Sequence, residues 1–215
     1  MHFRHLLLAV ALAAAASAHA QTASSNPTLA KPAEFYFDAD AKATKPVIAV
    51  RETGEAATAK LLKLIDRDPR AKAEHAHLAH LAMTAGRVDL GRELYARALT
   101  RITPTDGLWR SVVWNYGWDL QRAGEPAAAL EQWRALMTSR NLAPSWLPPT
   151  LALTLWTLGR KAEAVQWYAA AVRTEPNQWQ GTAGYPQLLP EWTDSERASL
   201  AEVQAAWAAN PPTWP

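Results

Sequence analysis

Leu151-Ala152-Leu153-Thr154-Leu155-Trp156-Thr157-Leu158-Gly159-Arg160-Lys161-Ala162-Glu163-Ala164-Val165-Gln166-Trp167-Tyr168-Ala169-Ala170-Ala171 reads as one helix, a glycine and a second helix. Leu151, Ala152 and Leu155 recur at helical spacing before Gly159, and Ala164, Tyr168 and Ala171 resume it afterwards. A glycine between two such runs fits the left-handed residue that closes a helix, a conformation in which a Cβ is strained. Pro176 ends the second run, because its ring cannot continue a helix.

The same punctuation recurs upstream. Glycines stand at Gly54, Gly86, Gly124 and Gly159, spaced by 32, 38 and 35 residues, the range of helical repeats. Seven residues before the last three stand Ala79, Gly117 and Ala152, and five after stand Gly91, Ala129 and Ala164. Small side chains at these places let two antiparallel helices approach closely. Nine residues after each of these last three glycines comes an aromatic, Tyr95, Trp133 or Tyr168, suited to filling the space between neighbouring pairs, and twelve after come Ala98, Leu136 and Ala171.

From about Arg70 to Pro176 this pattern resembles the tetratricopeptide repeat family. The unit ending in Pro176 is the closest match. The middle unit keeps Gly117, Leu120, Ala129 and Trp133 but has Asn141 where a closing proline is usual, with Pro144 three residues later. The first unit departs at Ala82 and at Thr103-Pro104, and the stretch after Gly54 keeps only Ala59, with Lys63 where an aromatic is expected. The resemblance implies an all-α fold, an α/α solenoid of about three antiparallel helix pairs with an N-terminal half-repeat. Asp68-Pro69 is expected to start the helix that follows the half-repeat. Thr193-Asp194-Ser195-Glu196 is a capping box ahead of Leu200, Val203 and Trp207, which predicts a C-terminal capping helix.

Residues 1–20 carry a basic start, an apolar run from Leu6 to Ala16 and Ala18-His19-Ala20, the features of a secretory signal peptide with Gln21 as the mature start. The run is too short for a membrane anchor, and no stable membrane insertion is expected after cleavage. Residues 21–52 are rich in Ala, Thr, Ser, Pro and Lys and read as an extended or disordered leader. Two apolar islands in it, Phe35-Tyr36-Phe37 and Val47-Ile48-Ala49-Val50, are expected to dock on the helical body. The repeat domain occupies 53–176, and a tail rich in Trp and Pro occupies 177–215, its part from Asn177 to Pro190 expected as a loop.

The chain has no Cys, so burial rather than disulfides must hold it together. Its formal charge of +2 comes from interspersed acids and bases, with no basic block of the kind that marks nucleic-acid binding. An exported chain of this kind is expected in the periplasm, secretion being the alternative.

Motifs for catalysis are missing: there is no phosphate loop, no G-x-S-x-G and no H-E-x-x-H. An enzyme is therefore not expected, nor a cofactor. Asp38 and Asp40 have the opening spacing of a calcium loop without its Gly and closing Glu. His75, His77 and His80 lack a carboxylate at ligand spacing, so they are expected as solvent-facing polar positions and no metal site is predicted.

All eleven tryptophans lie at or after Trp109. Trp133, Trp167 and Trp207 are expected in the core. Trp114 and Trp118 flank Gly117 one turn apart and cannot both point with it toward the partner helix. In the resembled family this side of the first helices forms a concave groove for extended peptides. Register then implies a partner site made of Trp114, Trp118, Gln121, Arg122, Trp146, Leu153, Trp156 and His80. Where the family presents charged and amide groups, this sequence offers rings, which suits a ligand with apolar or aromatic anchors. The expected function is a non-enzymatic protein-protein interaction module, an adaptor or assembly factor of the cell envelope that binds a protein or peptide partner. Two alternatives stand beside it: a closed scaffold whose groove is filled by residues 177–215, and a glycan-binding protein using its Trp platforms.

Overall fold

A computed structural model describes Leu29, Pro32 and residues 40–140 and 144–213. The chain divides into two compact units, Met1–Ala30 and Lys31–Pro215, and only Leu29 of the first is described. The signal peptide, Phe35-Tyr36-Phe37, Asp38, Asn141 and Trp214 lie outside the described residues.

Among the described residues all regular secondary structure is helical. The helices are α1 (Gly54–Arg67), α2 (Lys72–Thr84), α3 (Val88–Leu99), α4 (Trp109–Arg122), α5 (Pro126–Arg140), α6 (Leu147–Thr157), α7 (Lys161–Thr174), α8 (Pro176–Trp179), α9 (Tyr185–Leu188) and α10 (Asp194–Ala209). The most extensive packing joins α2 to α3, α4 to α5 and α6 to α7, so the fold is an all-α helical repeat of three antiparallel pairs. Helix α1 packs on α2 as a half-repeat, α4 packs on α2 and α3, α5 packs on α6, and α10 covers α6 and α7.

Each hairpin turns on a glycine with positive φ: 75° at Gly86, 81° at Gly124 and 75° at Gly159. The next residue donates its N–H to a carbonyl five residues back, Arg87 to Ala82, Glu125 to Leu120 and Arg160 to Leu155, each at 2.9 Å. This ties off a carbonyl that the helix end leaves unpaired. Gly54 also has positive φ but opens α1 instead of linking two helices.

Helix α2 begins at Lys72, three residues after the predicted start at Pro69. Asp68 accepts the Arg70 N–H on its carboxylate and the Ala71 N–H on its carbonyl, so it closes a turn before the helix instead of capping it. The expected loop after Pro176 contains the two short helices α8 and α9. Helix α10 starts on the predicted capping box, with the Thr193 hydroxyl and the Glu196 carboxylate each accepting the other residue's backbone N–H.

The small-residue seam brings the helices together as expected. A Cβ on Gly117 would lie 2.5 Å from Nε1 of Trp133, so the indole lies directly on the α4 backbone. Trp133 thus fills the inside of its own pair, not the space between pairs. Tyr95 does reach across pairs, its hydroxyl donating to Asp119 on α4, and Tyr168 reaches the tail, sharing a 2.7 Å hydrogen bond with Tyr185. All three rings are fully buried. Trp167 is buried and Trp207 half-buried, its ring centroid 6.0 Å from that of Tyr168.

Candidate functional site

The first helices of the three pairs, α2, α4 and α6, carry the polar and aromatic residues singled out by the sequence. Helix α4 has a stripe at Ser111, Asn115, Asp119 and Arg122, spaced by about one turn. Ser111 donates to the carbonyl of Lys42 at 2.7 Å and Asn115 to the carbonyl of Lys45 at 2.9 Å. From α2, Nδ1 of His77 accepts the Ala49 N–H at 3.2 Å. The leader between Asp40 and Val50 is therefore held along α4 and α2 through its main chain, and Ala43, Val47 and Val50 are buried.

Asp40 anchors this segment. Its carboxylate accepts from Arg110, whose guanidinium also donates to the Leu136 carbonyl at 3.2 Å and to the Ser139 hydroxyl at 2.9 Å. Both side chains are more than nine-tenths buried. Desolvating two charges costs several kcal/mol per ion, so the site holds only because the hydrogen bonds around Arg110 compensate it.

The tail lies on the opposite end of α4. The Trp192 ring meets Trp118 edge to face at 4.9 Å, and Arg122 donates to the Glu196 carboxylate and the Glu191 carbonyl, each at 2.9 Å. The Arg122 guanidinium also stands 5.2 Å from the centre of the Trp118 ring. Edge-to-face pairs contribute about 0.5–1.5 kcal/mol each beyond burial. Trp114 makes two more, with Trp146 at 4.5 Å and with Trp118 at 5.7 Å.

Between the leader and the tail a cavity of about 620 Å3 remains. Five indoles line it, those of Trp114, Trp118, Trp146, Trp179 and Trp192. Its polar wall includes His80, Asp119 and Arg122. The size falls in the range of pockets that take small molecules or a few residues of a partner.

His80 is held in one orientation. Its Nδ1 lies 2.9 and 3.1 Å from the two oxygens of Asp119, and Asp119 also accepts the Tyr95 hydroxyl at 2.6 Å. A carboxylate only accepts, so Nδ1 carries the proton and the lone pair of neutral His80 sits on Nε2. The bond to Asp119 raises the His80 pKa against the opposing effect of burial. Burial pushes the Tyr95 hydroxyl far up, and the negative charge of Asp119 adds to it.

Of the residues that register placed in the site, His80, Trp114, Trp118, Arg122 and Trp146 line the cavity. Gln121, Leu153 and Trp156 do not. Gln121 donates to Thr157 on α6 at 3.4 Å, Leu153 is buried inside α6, and the Trp156 indole donates to Glu202 of α10 at 2.7 Å beneath Lys161. Trp114, Trp118 and Trp146 are themselves buried, because leader and tail cover the face that would otherwise present them.

The histidines differ from expectation. His75 and His77 are buried rather than solvent-facing, and each ring has its own protein partner, the Ala71 carbonyl for His75 and the Ala49 N–H for His77. Among the described residues no group of three His, Cys, Asp or Glu is placed to hold a metal ion. Asp119, Trp179 and Trp192 do not stand out in the sequence, and Tyr95 stands out there only as a packing ring. The α4 polar stripe is the signal that could have pointed to Asp119.

No protein-family model, curated protein or solved structure matches this chain. The repeat architecture therefore rests on the packing of the helices, and the likeness to tetratricopeptide repeats on the residue pattern alone.

Proposed function

We propose that the protein is a non-enzymatic interaction module, exported to the periplasm, that holds a segment of a partner protein of the cell envelope against α2, α4 and α6. The observation that carries this reading is the leader itself. The inner helices already grip a non-helical stretch of polypeptide by donating from Ser111 and Asn115 to its carbonyls and accepting its N–H on His77. Hydrogen bonding to main chain gives affinity for an extended segment, and neighbouring pockets give selectivity. The aromatic cavity beside the leader is the pocket in this reading. Trp is a strong anchor where a pocket desolvates it, and five line this one. Among the described residues no helix is long and apolar enough to cross a membrane.

A photo-crosslinking side chain placed at Glu191 or Gln178, both exposed and both on the cavity rim, tests the reading in living cells. A discrete protein adduct at these sites, absent from the same probe at exposed Leu90 outside the cavity, is expected. No protein adduct, or the same adducts at all three places, would sink it. A fusion of the chain to a reporter that is active only outside the cytoplasm checks export.

A second reading, a closed scaffold, is favoured by the contacts of Trp192 with Trp118 and of Glu196 with Arg122. It predicts no adduct at any of the three positions.

A further inference from the structure

We propose that the cavity takes a neutral ring bearing a hydroxyl, the side chain of a tyrosine in the partner segment, with that hydroxyl bonded to Nε2 of His80. The inference rests on the partner-binding reading above and names its anchor.

Three observations converge on it. First, His80 lines the cavity with Nδ1 committed to Asp119, and Asp119 is committed in turn to Tyr95. The nitrogen left for a ligand is Nε2, fixed in direction by a partner that is itself buried and fixed. Neutral His80 offers a lone pair there and protonated His80 offers an N–H. A hydroxyl satisfies either state, since it both donates and accepts.

Second, the charges on the walls do not favour an ion. Arg122 is already engaged by Glu196 and by the Glu191 carbonyl, and His80 by Asp119. The acidic residues Asp119, Glu175 and Glu191 line the same space, so an anionic ligand would meet repulsion on entry. A bare cation would instead meet His80 and Arg122. A neutral polar group avoids both costs.

Third, the apolar part of the wall is dominated by the indoles, with Pro149 and Leu189, beside polar residues such as Thr44, Asn115 and Gln178. Aromatic side chains pack best on other rings edge to face or offset, and the pairs already present, Trp114 with Trp146 and Trp118 with Trp192, have that geometry. A tyrosine adds an apolar body to this cluster and carries its one polar atom at the tip. Phenylalanine has the same body and leaves Nε2 without a partner.

Titrating the full chain with N-acetyl-Ala-Tyr-Ala-amide and with N-acetyl-Ala-Phe-Ala-amide, followed by tryptophan emission, tests this. Chitobiose serves as a saccharide probe in parallel. The tyrosine peptide is expected to bind about tenfold more tightly than the phenylalanine peptide, the contribution of one hydrogen bond of ordinary strength. In His80→Asn the amide can still donate to Asp119 but has no atom at the Nε2 position, and the preference is expected to vanish while far-ultraviolet circular dichroism is unchanged. Equal binding of the two peptides to the wild type overturns the tyrosine assignment and leaves the partner-binding reading standing. A preference that persists in His80→Asn overturns the role of His80. Saturation by chitobiose with no response to either peptide overturns both the inference and the reading beneath it, as does no saturation by any probe.

Discussion

Gly117 lies flat against the indole of Trp133, so closely that a Cβ on the glycine would stand 2.5 Å from Nε1 and 2.7 Å from Cε2. The buried indole N–H has no hydrogen-bond partner. A close fit to the α4 backbone fixes the ring there, and the small residue at this place exists to admit it.

Gly117→Ala is therefore expected to destabilise the fold. Overpacking costs about 1–3 kcal/mol, against about 1 kcal/mol gained from the better helix propensity of Ala. Trp133 has no room to move, because it also touches Trp114 and Trp118. Gly91→Ala meets the flexible side chain of Met83, with the Ala79 carbonyl oxygen 3.2 Å away, and is expected to cost less because Met83 can turn aside. Urea denaturation of both variants decides it; a larger loss for Gly91→Ala would refute the role assigned to Trp133.

Asp40 and Arg110 make the leader part of the fold. Asp40→Ala leaves a buried guanidinium without its carboxylate, and removing one partner of a buried pair costs about 3–5 kcal/mol. Replacing both, Asp40→Ala with Arg110→Met, is expected to recover much of that loss, because no charge then remains buried. Chemical denaturation of the single and double variants measures it. If the single variant is as stable as wild type, residues 40–50 are only loosely attached.

How much of this was legible follows from where each contact lies along the chain. The hairpin turns could be read because Gly86, Gly124 and Gly159 each satisfy a local rule of helix closure, and the seam could be read because Gly117 and Ala129 recur in register with them. The capping box at Thr193 is equally local. By contrast Arg110 finds Asp40 seventy residues away, and Trp118 finds Trp192 across two short helices whose path depends on Tyr168 bonding to Tyr185. No periodicity encodes such closures. Register puts Trp114 and Trp118 on the face of α4 that lines the cavity, yet cannot reveal that the chain's own leader and tail cover them. The burial of His77 is illegible for the same reason, since the leader bonds to it through Ala49.

Two histidines on α2 should shift stability with pH in opposite directions. Burial, helped by the charge of His80, lowers the His77 pKa below its ordinary value of 6.5, so the unfolded chain takes up the proton more readily. Its contribution is present above pH 6.5 and is lost as pH falls toward the folded value. The Asp119 bond raises the His80 pKa, so its contribution is complete below 6.5 and fades as pH rises through the folded value. His77→Asn keeps an oxygen near the position of Nδ1 and cannot titrate, and it should remove the acid-side loss. His80→Asn should remove the loss on the other side. Urea midpoints across pH for the two variants check this, and parallel changes in both would contradict it.

Glu196 does two jobs with one carboxylate. It accepts the Thr193 N–H at 2.7 Å, completing the cap of α10, and it receives Arg122 from α4 at 2.9 Å. Burial alone would raise its pKa, but Arg122 and the Thr193 N–H outweigh that and leave it below the ordinary carboxylate value. Thr193→Ala removes the hydroxyl half of the cap, at about 1 kcal/mol. Glu196→Gln retains an oxygen for the Thr193 N–H and loses the charge facing Arg122, which at this partly exposed site contributes about 0.5–1 kcal/mol. Glu196→Ala removes both at once and leaves Arg122 to the Glu191 carbonyl and the Trp118 ring, so it is expected to exceed either variant. Because Glu196 joins α10 to α4 while the rest of α10 packs on α6 and α7, the effect should concentrate in α10. Hydrogen exchange should quicken through Asp194–Ala209 in Glu196→Ala while α2 and α3 keep their protection. If exchange rises equally in α2, Glu196 stabilises the whole repeat rather than clasping the tail. If it rises nowhere, the Trp192 contact with Trp118 holds the tail without help from charge.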